Sequence, residues 1–302
     1  LAGIIVRTGR TQDLRIELTA APVAVAGVVV EAERVRLIEP DVSASHDIIV
    51  ARELRALPVI ADPAGNRVFR YVPSGALTVI AGDGTAASAP DGALASASPI
   101  NRPAGVAVDM DGTILISEAG AHRIRRIDAG GLLRTVAGTG SPGHSGDGGR
   151  ATDARLHEPA GLLLADGVLY FTDIFTHVVR RVDAQGIIST IAGVPGAIGF
   201  TGDGGAAADA TLNRPISLAR TPDGRQLFIS DQGNDRVRVI DVASGAIRTF
   251  AGTGSRAYSG SRRLAGETSL FRPAALDASA NGFLFIVDTG HYVVWRTSVA
   301  SN

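Results

Sequence analysis

The sequence predicts an all-β protein built from one repeated four-stranded unit, and three periodic anchors predict it. The first is an Ala-Gly ending. Ala81, Ala137, Ala192 and Ala251 stand in Leu77-Thr-Val-Ile-Ala-Gly82, Arg134-Thr-Val-Ala-Gly138, Ser189-Thr-Ile-Ala-Gly193 and Arg248-Thr-Phe-Ala-Gly252, at steps of 56, 55 and 59. The second is the proline of Arg102-Pro103, Glu158-Pro159, Arg214-Pro215 and Arg272-Pro273, at steps of 56, 56 and 58. The third is an acid closing an apolar run, at Asp62, Glu118, Asp173, Asp231 and Asp288. Three anchors sharing one period identify a repeat.

Within a unit the strands follow from alternation and turn chemistry. Ala104 to Asp109, Thr113 to Ser117, His122 to Ile127 and Leu132 to Ala137 are strand-like runs. They are separated by Met110-Asp-Gly112 and Asp128-Ala-Gly-Gly131, where glycine supplies the positive φ of a tight turn. Four short antiparallel strands repeated about an axis form a β-propeller blade. From residue 58 the runs count three, then three sets of four, then three, which leaves five or six blades open. Residues 1–57 stand outside the repeat and read as an extra β segment: Gly3 to Arg7, Asp13 to Leu18 and Val23 to Val30 are strand-like, with Thr8-Gly9-Arg10 as a turn. These strands are expected to pack on the propeller, complete its ring or await a missing neighbour.

Composition suits many strands and turns and closes off some chemistry. The 302 residues carry 37 glycines, 14 prolines and 45% hydrophobic residues, with a formal net charge of -1. That balance offers no global field for nucleic acid or an anionic membrane. All 29 basic residues are arginine, so lysine amine chemistry is excluded, and the zero cysteines exclude disulfides, thiolate catalysis and Cys-ligated zinc. No apolar run approaches the roughly 20 residues that span a bilayer. The chain opens at Leu1 with no signal-like segment, which reads as a processed or excised piece.

The segments TVAGTGSPGHSGDGGRATDARLHEP and TIAGVPGAIGFTGDGGAAADATLNRP, with Ser230-Asp-Gln-Gly-Asn-Asp-Arg-Val-Arg238 and Ser117-Glu-Ala-Gly-Ala-His-Arg-Ile-Arg125, resemble NHL repeats of the bacterial Gly-Asp-Gly-Gly type. The resemblance covers residues 58–302. The first unit departs from it by lacking its opening strand and a Gly-Asp-Gly-Gly in loop 83–102; the last stops after Val293-Val-Trp-Arg296. Upstream, VRTGRTQDLRIELTAAPVAVAGVVVEAE and ARELRALPV resemble the end of a carboxypeptidase-regulatory-like sandwich running into a TonB-receptor plug. Together these resemblances imply a bacterial, periplasmic, outer-membrane-associated or secreted setting. NHL propellers in some animal proteins bind RNA with a positive face; here acids balance the arginines of the third strands, and no nucleic-acid partner is expected.

Propeller connectivity places the long connections 83–102, 139–158, 194–214 and 253–272 at one end, together with the second-to-third-strand turns. Loops of that length are commonly functional or packed on something, and this end is the expected binding face. Its candidates are His122, His177, Asn234, His291, His144, Phe200 and Tyr258, and its expected partner is a protein or a small extracellular ligand. The acids Asp62, Glu118, Asp173, Asp231 and Asp288 recur in every unit and are expected to accept backbone N–H groups at the turn into the third strand. Gly146 to Gly149 and Gly202 to Gly205 lack the lysine of a phosphate loop and read as inter-blade turns. One carboxylate per loop is also a poor calcium cage. His122, His177 and His291 resemble the channel histidines of propeller enzymes such as peptidylglycine amidating lyase, so a metal-assisted lyase or hydrolase stands as the alternative to a non-catalytic binding module. Calcium or zinc would be its cofactor, and no cofactor is expected for the leading reading.

Overall fold

The computed structural model describes residues 2–7, 13–18, 59–71, 76–109, 112–260 and 264–299. Strands β1 (Ala2–Arg7) and β2 (Asp13–Leu18) pair antiparallel. Expectations for Val23 to Val30, and for N-terminal strands completing the ring, fall outside the described residues.

Five sheets follow in chain order. Blade one holds β3 (Val59–Asp62), β4 (Arg67–Tyr71) and β5 (Leu77–Ala81). Blade two holds β6 (Pro103–Val108), β7 (Ile114–Glu118), β8 (Arg123–Ile127) and β9 (Leu133–Ala137). Blade three holds β10 (Pro159–Ala165), β11 (Val168–Asp173), β12 (Val178–Val182) and β13 (Ile188–Ala192). Blade four holds β14 (Pro215–Arg220), β15 (Gln226–Asp231), β16 (Arg236–Asp241) and β17 (Ile247–Ala251). Blade five holds β18 (Pro273–Ala278), β19 (Phe283–Asp288) and β20 (Val293–Ser298). All neighbours are antiparallel, and the described residues form five blades of a β-propeller. The first strand of each blade packs against the blade before it, which makes β6, β10, β14 and β18 the inner strands.

The core is four layers between blades. Phe171, Leu169 and Ile188 of blade three meet Leu115 and Ile124 of blade two; Leu218, Ile229 and Ile247 of blade four meet Val179 of blade three. Each layer is plugged by one residue from a long connection: Ile100, Leu156, Leu212 and Leu270, none more than 1% exposed. The long connections are therefore walls rather than free loops. Ala151 donates its N–H to Gly186 of the next blade, and Ile188 donates to Gly149, so connection 139–158 extends that blade's outer edge. Connections 83–102 and 194–214 do the same through Leu133 to Ala93 and Ile247 to Gly205.

Candidate functional site

At the end where second strands turn into third strands, one residue per blade sits in the left-handed region: Asn66, His122, His177, Asp235 and Tyr292, at φ between 50° and 59°. A second set, Arg102, Glu158, Arg214 and Arg272, precedes the inner-strand prolines at φ between 49° and 58°. Non-glycine residues held there cost of order 1 kcal/mol each, so each must be fixed by something. Each set fixes the other across blades. Arg102 N–H donates to Asn66 Oδ1 (2.9 Å), Glu158 N–H to His122 Nδ1 (3.2 Å), Arg214 N–H to His177 Nδ1 (3.0 Å) and Arg272 N–H to Asp235 Oδ1 (2.8 Å).

His122 and His177 are thus backbone acceptors whose Nδ1 atoms are already used. Burial, aided by the charge of His157, holds His122 below the usual histidine range; burial and then Arg214 and His157 do the same for His177. His291 lies outside that slot, with Nδ1 on Asp288 Oδ2 (2.8 Å) and Nε2 on the Arg256 carbonyl (2.9 Å). Among the described residues no three His, Asp or Glu side chains are placed to hold a metal ion. His144 Nε2 contacts Thr190 Oγ1 (3.0 Å), Asn234 Nδ2 donates to Gly199 O and Asp231 Oδ2 (each 2.7 Å), and Phe200 lies under Arg236. Tyr258 packs edge-on to His291 and over Trp295.

Four of the repeat acids are buried and Asp62 is half-buried, and the turn geometry expected for them is seen at Asp62, which accepts Gly65 N–H. Glu118, Asp173, Asp231 and Asp288 accept instead from Asn101, His157, Asn213 and Phe271, at the entrance to their own blade. The difference arises because the long connection must be pinned as it enters the inner strand. Seven residues beyond three of these acids lie Arg125, Arg180 and Arg238, which are fully buried. Each reaches a carboxylate in the preceding connection: Arg125 to Asp91 (3.0 Å), Arg180 to Asp147 and Arg238 to Asp203 (2.6 Å). The remaining oxygens are taken by Thr135, Thr190 and Thr249 of the same blade's outer strand. Asp147 and Asp203 are clasps between connection and blade, and in loop 83–102, which has no Gly-Asp-Gly-Gly, Pro90-Asp91-Gly92 supplies the same clasp. Burial pushes Asp147 and Asp203 up, but the hydrogen bonds and arginine charge outweigh it and hold both below the usual carboxylate range. Burial pushes Asp173 up to about 7 and Asp231 up to about 6.

What remains after subtracting the repeat is concentrated at blade three. Two residues past the repeat acid stand Gly120, Gly233 and Gly290, where an added Cβ would strike Asn101, Asn213 or Phe271; blade three has Phe175 there. The facing residue is His157, whose ring lies 5.1 Å from Phe175 and 5.5 Å from His122. Arg214 lies over the Phe175 ring at 5.1 Å. The tip of connection 194–214 closes on this turn, with Gly196 N–H donating to Thr176 O (3.0 Å). That tip reads Val194-Pro-Gly-Ala-Ile198-Gly-Phe200, where connection 139–158 reads Thr139-Gly-Ser-Pro-Gly-His-Ser145. Val194, Ile198 and Phe175 are 37%, 65% and 39% exposed, so an apolar step stands on a rim of arginines. Sequence patterning singled out neither Phe175 nor His157 as a binding residue, although aligning the copies marks both as departures.

The Teneurin NHL domain family matches residues 139–199. The chain is 28% identical over 182 residues to NHL repeat-containing protein 2 of Gallus gallus, covering 52% of this chain and 24% of that protein. It is 31% identical over 199 residues to Protein SUPPRESSOR OF QUENCHING 1, chloroplastic, of Arabidopsis thaliana, covering 62% and 18%. The chain spans about a quarter or less of these relatives' length. Among solved structures it resembles an auxiliary nutrient binding protein of Bacteroides thetaiotaomicron (TM-score 0.58, 15% identity, 79% of this chain and 55% of that one). It also resembles the gluconolactonase XC5397 of Xanthomonas campestris (TM-score 0.53, 20% identity, 82% and 73%) and a chain of the nidogen/laminin complex (TM-score 0.53, 17% identity, 80% and 71%). These structural likenesses show the fold.

Proposed function

We propose that this NHL-repeat β-propeller is a non-catalytic binding module of the bacterial envelope or secreted space, and that it holds a partner protein or small ligand on the rim around Phe175. The observation that carries this is the departure of blade three from the repeat. Residues present in every blade hold the blade together, whereas Phe175, His157 and the apolar tip at Ile198 are needed by no other blade. A solvent-facing aromatic and an aliphatic tip, bordered by guanidinium groups, are the composition of an interface centre and not of a loop whose only task is closure. A metal-assisted reading gains nothing from the geometry, because His122 and His177 spend Nδ1 on backbone N–H groups.

The test compares Ile198→Asp on the rim with Val242→Asp at the opposite end, where Val242 is 43% exposed. A partner captured by the native chain and by the Val242 variant, but lost with Ile198→Asp, supports the rim. Loss with Val242→Asp alone rejects it.

A further inference from the structure

Resting on that reading, we infer that the rim recognises an acidic segment of a partner polypeptide, with a carboxylate seated between Arg214 and Arg272 and an adjacent apolar side chain on Ile198 and Val194. The four residues before the inner-strand prolines occupy equivalent places in consecutive blades. The distance between neighbouring places is set by Arg102 and Glu158, which form a two-pronged ion pair across blades two and three (3.1 and 3.0 Å). Two side chains at adjacent places therefore meet, or meet a common ligand atom.

The next such neighbours are Glu158 and Arg214, with Glu158 already held by Arg102; Arg214 and Arg272 follow, and there the acid is replaced by a second arginine. Both side chains are exposed, both backbones share the φ of Arg102 and Glu158, and no carboxylate of the described residues pairs with either guanidinium. The carboxylates on either side are committed: Glu158 to Arg102, and Asp235 through Oδ1, which accepts Arg272 N–H, and Oδ2, which pairs with Arg256 (2.7 Å). The place is an ion pair with its anion missing. A carboxylate accepts two N–H groups from each guanidinium plane, the geometry arginine favours. The apolar step beside Arg214 sets the second requirement. Phosphate would satisfy the arginines but would leave Ile198 and Val194 against water. Nucleic acid would also need free stacking rings, whereas Phe175 is already covered by Arg214 and Phe200 by Arg236.

The experiment measures fluorescence polarisation of labelled heptapeptides alternating Glu or Asp with Leu or Phe. The full chain is titrated against these peptides and against the same peptides with every acid amidated. Arg272→Glu rebuilds the Arg102–Glu158 arrangement with Arg214 as its partner, so it closes the site while keeping a residue type that this place already accepts. It is expected to weaken binding at least tenfold, with Arg272→Gln intermediate and the amidated peptides weak on every chain. The proposal is overturned if Arg272→Glu binds as the native chain does, if amidation has no effect, if an oligouridylate displaces the peptide, or if no peptide binds below about 1 mM. Unchanged binding with Arg272→Glu, combined with loss on Ile198→Asp, sinks the carboxylate proposal and leaves the rim standing. Unchanged binding with both sinks both.

Discussion

Arg180 has no exposed surface, and its charge is answered from two sides: Asp147 in the connection before it and Asp173 in its own blade. Removing it strands a buried carboxylate and two carbonyls, so Arg180→Met is expected to cost about 3–5 kcal/mol in chemical unfolding. A loss below 1 kcal/mol would show that the clasp is ornamental. The left-handed histidines give a pH signature. Their neutral rings accept an N–H at Nδ1, so the added proton must land on an occupied acceptor. With folded pKa values below the unfolded value near 6.5, the unfolded chain binds protons first as pH falls. Their contribution is present above pH ~6.5 and is lost below it, as pH falls through the lower folded values. Asn66 fills the same slot with an amide oxygen, so the double variant His122→Asn, His177→Asn is expected to keep the bonds and lose less stability between pH 7 and about 5 than the native chain. Identical pH profiles would refute that assignment. At this scale the sequence showed the periodic acids and histidines, but not their partners. The partners lie in other blades, and Asp91 escaped because its flanking residues differ from Gly-Asp-Gly-Gly while its place does not.

The long connections change meaning once their buried anchors are seen. Length alone marked them as loops for binding, whereas Ala151, Ala154 and Leu156 in one, and Ala207, Ala210 and Leu212 in the next, belong to the inter-blade core. Leu212→Ala should cost about 2–5 kcal/mol in urea unfolding, a value typical of a closed core and not of a surface loop. A near-zero cost would return these segments to the loop class. Gly138 shows why each connection starts as it does. It has φ 94°, and a Cβ there would strike the His122 carbonyl. The strands themselves were legible because alternation and Asp-Gly turns are local. The clasps were not, because they depend on which blade a connection leans against. Blade five supports the pairing rule from the other direction. Trp295 stands at the arginine place and donates Nε1–H to Asp288 (3.0 Å), and the connection into that blade has Ser261 at the place of Asp203 in the sequence.

The whole molecule is a repeat that departs from its pattern at blade three and at blade five, and function is sought where blade three exposes the departure. Five blades are described, the first without its inner strand and the last without its outer one. The sequence holds a further copy of the fourth-strand ending, Val25-Ala26-Gly27, 55 residues ahead of Gly82. A chain lacking residues 1–27 is expected to melt several degrees lower than the full chain; equal melting would leave that copy without a role. The propeller was readable from period alone, whereas the acidic partner proposed for the rim rests on Arg214 and Arg272 holding equivalent places in consecutive blades. Hydrogen exchange of the native chain with and without bound acidic peptide tests the central claim most directly. Slowed exchange confined to residues 174–177, 194–200 and 289–292 is the predicted result. Protection confined to the opposite turns, at 166–167, 222–224 and 242–245, would contradict it.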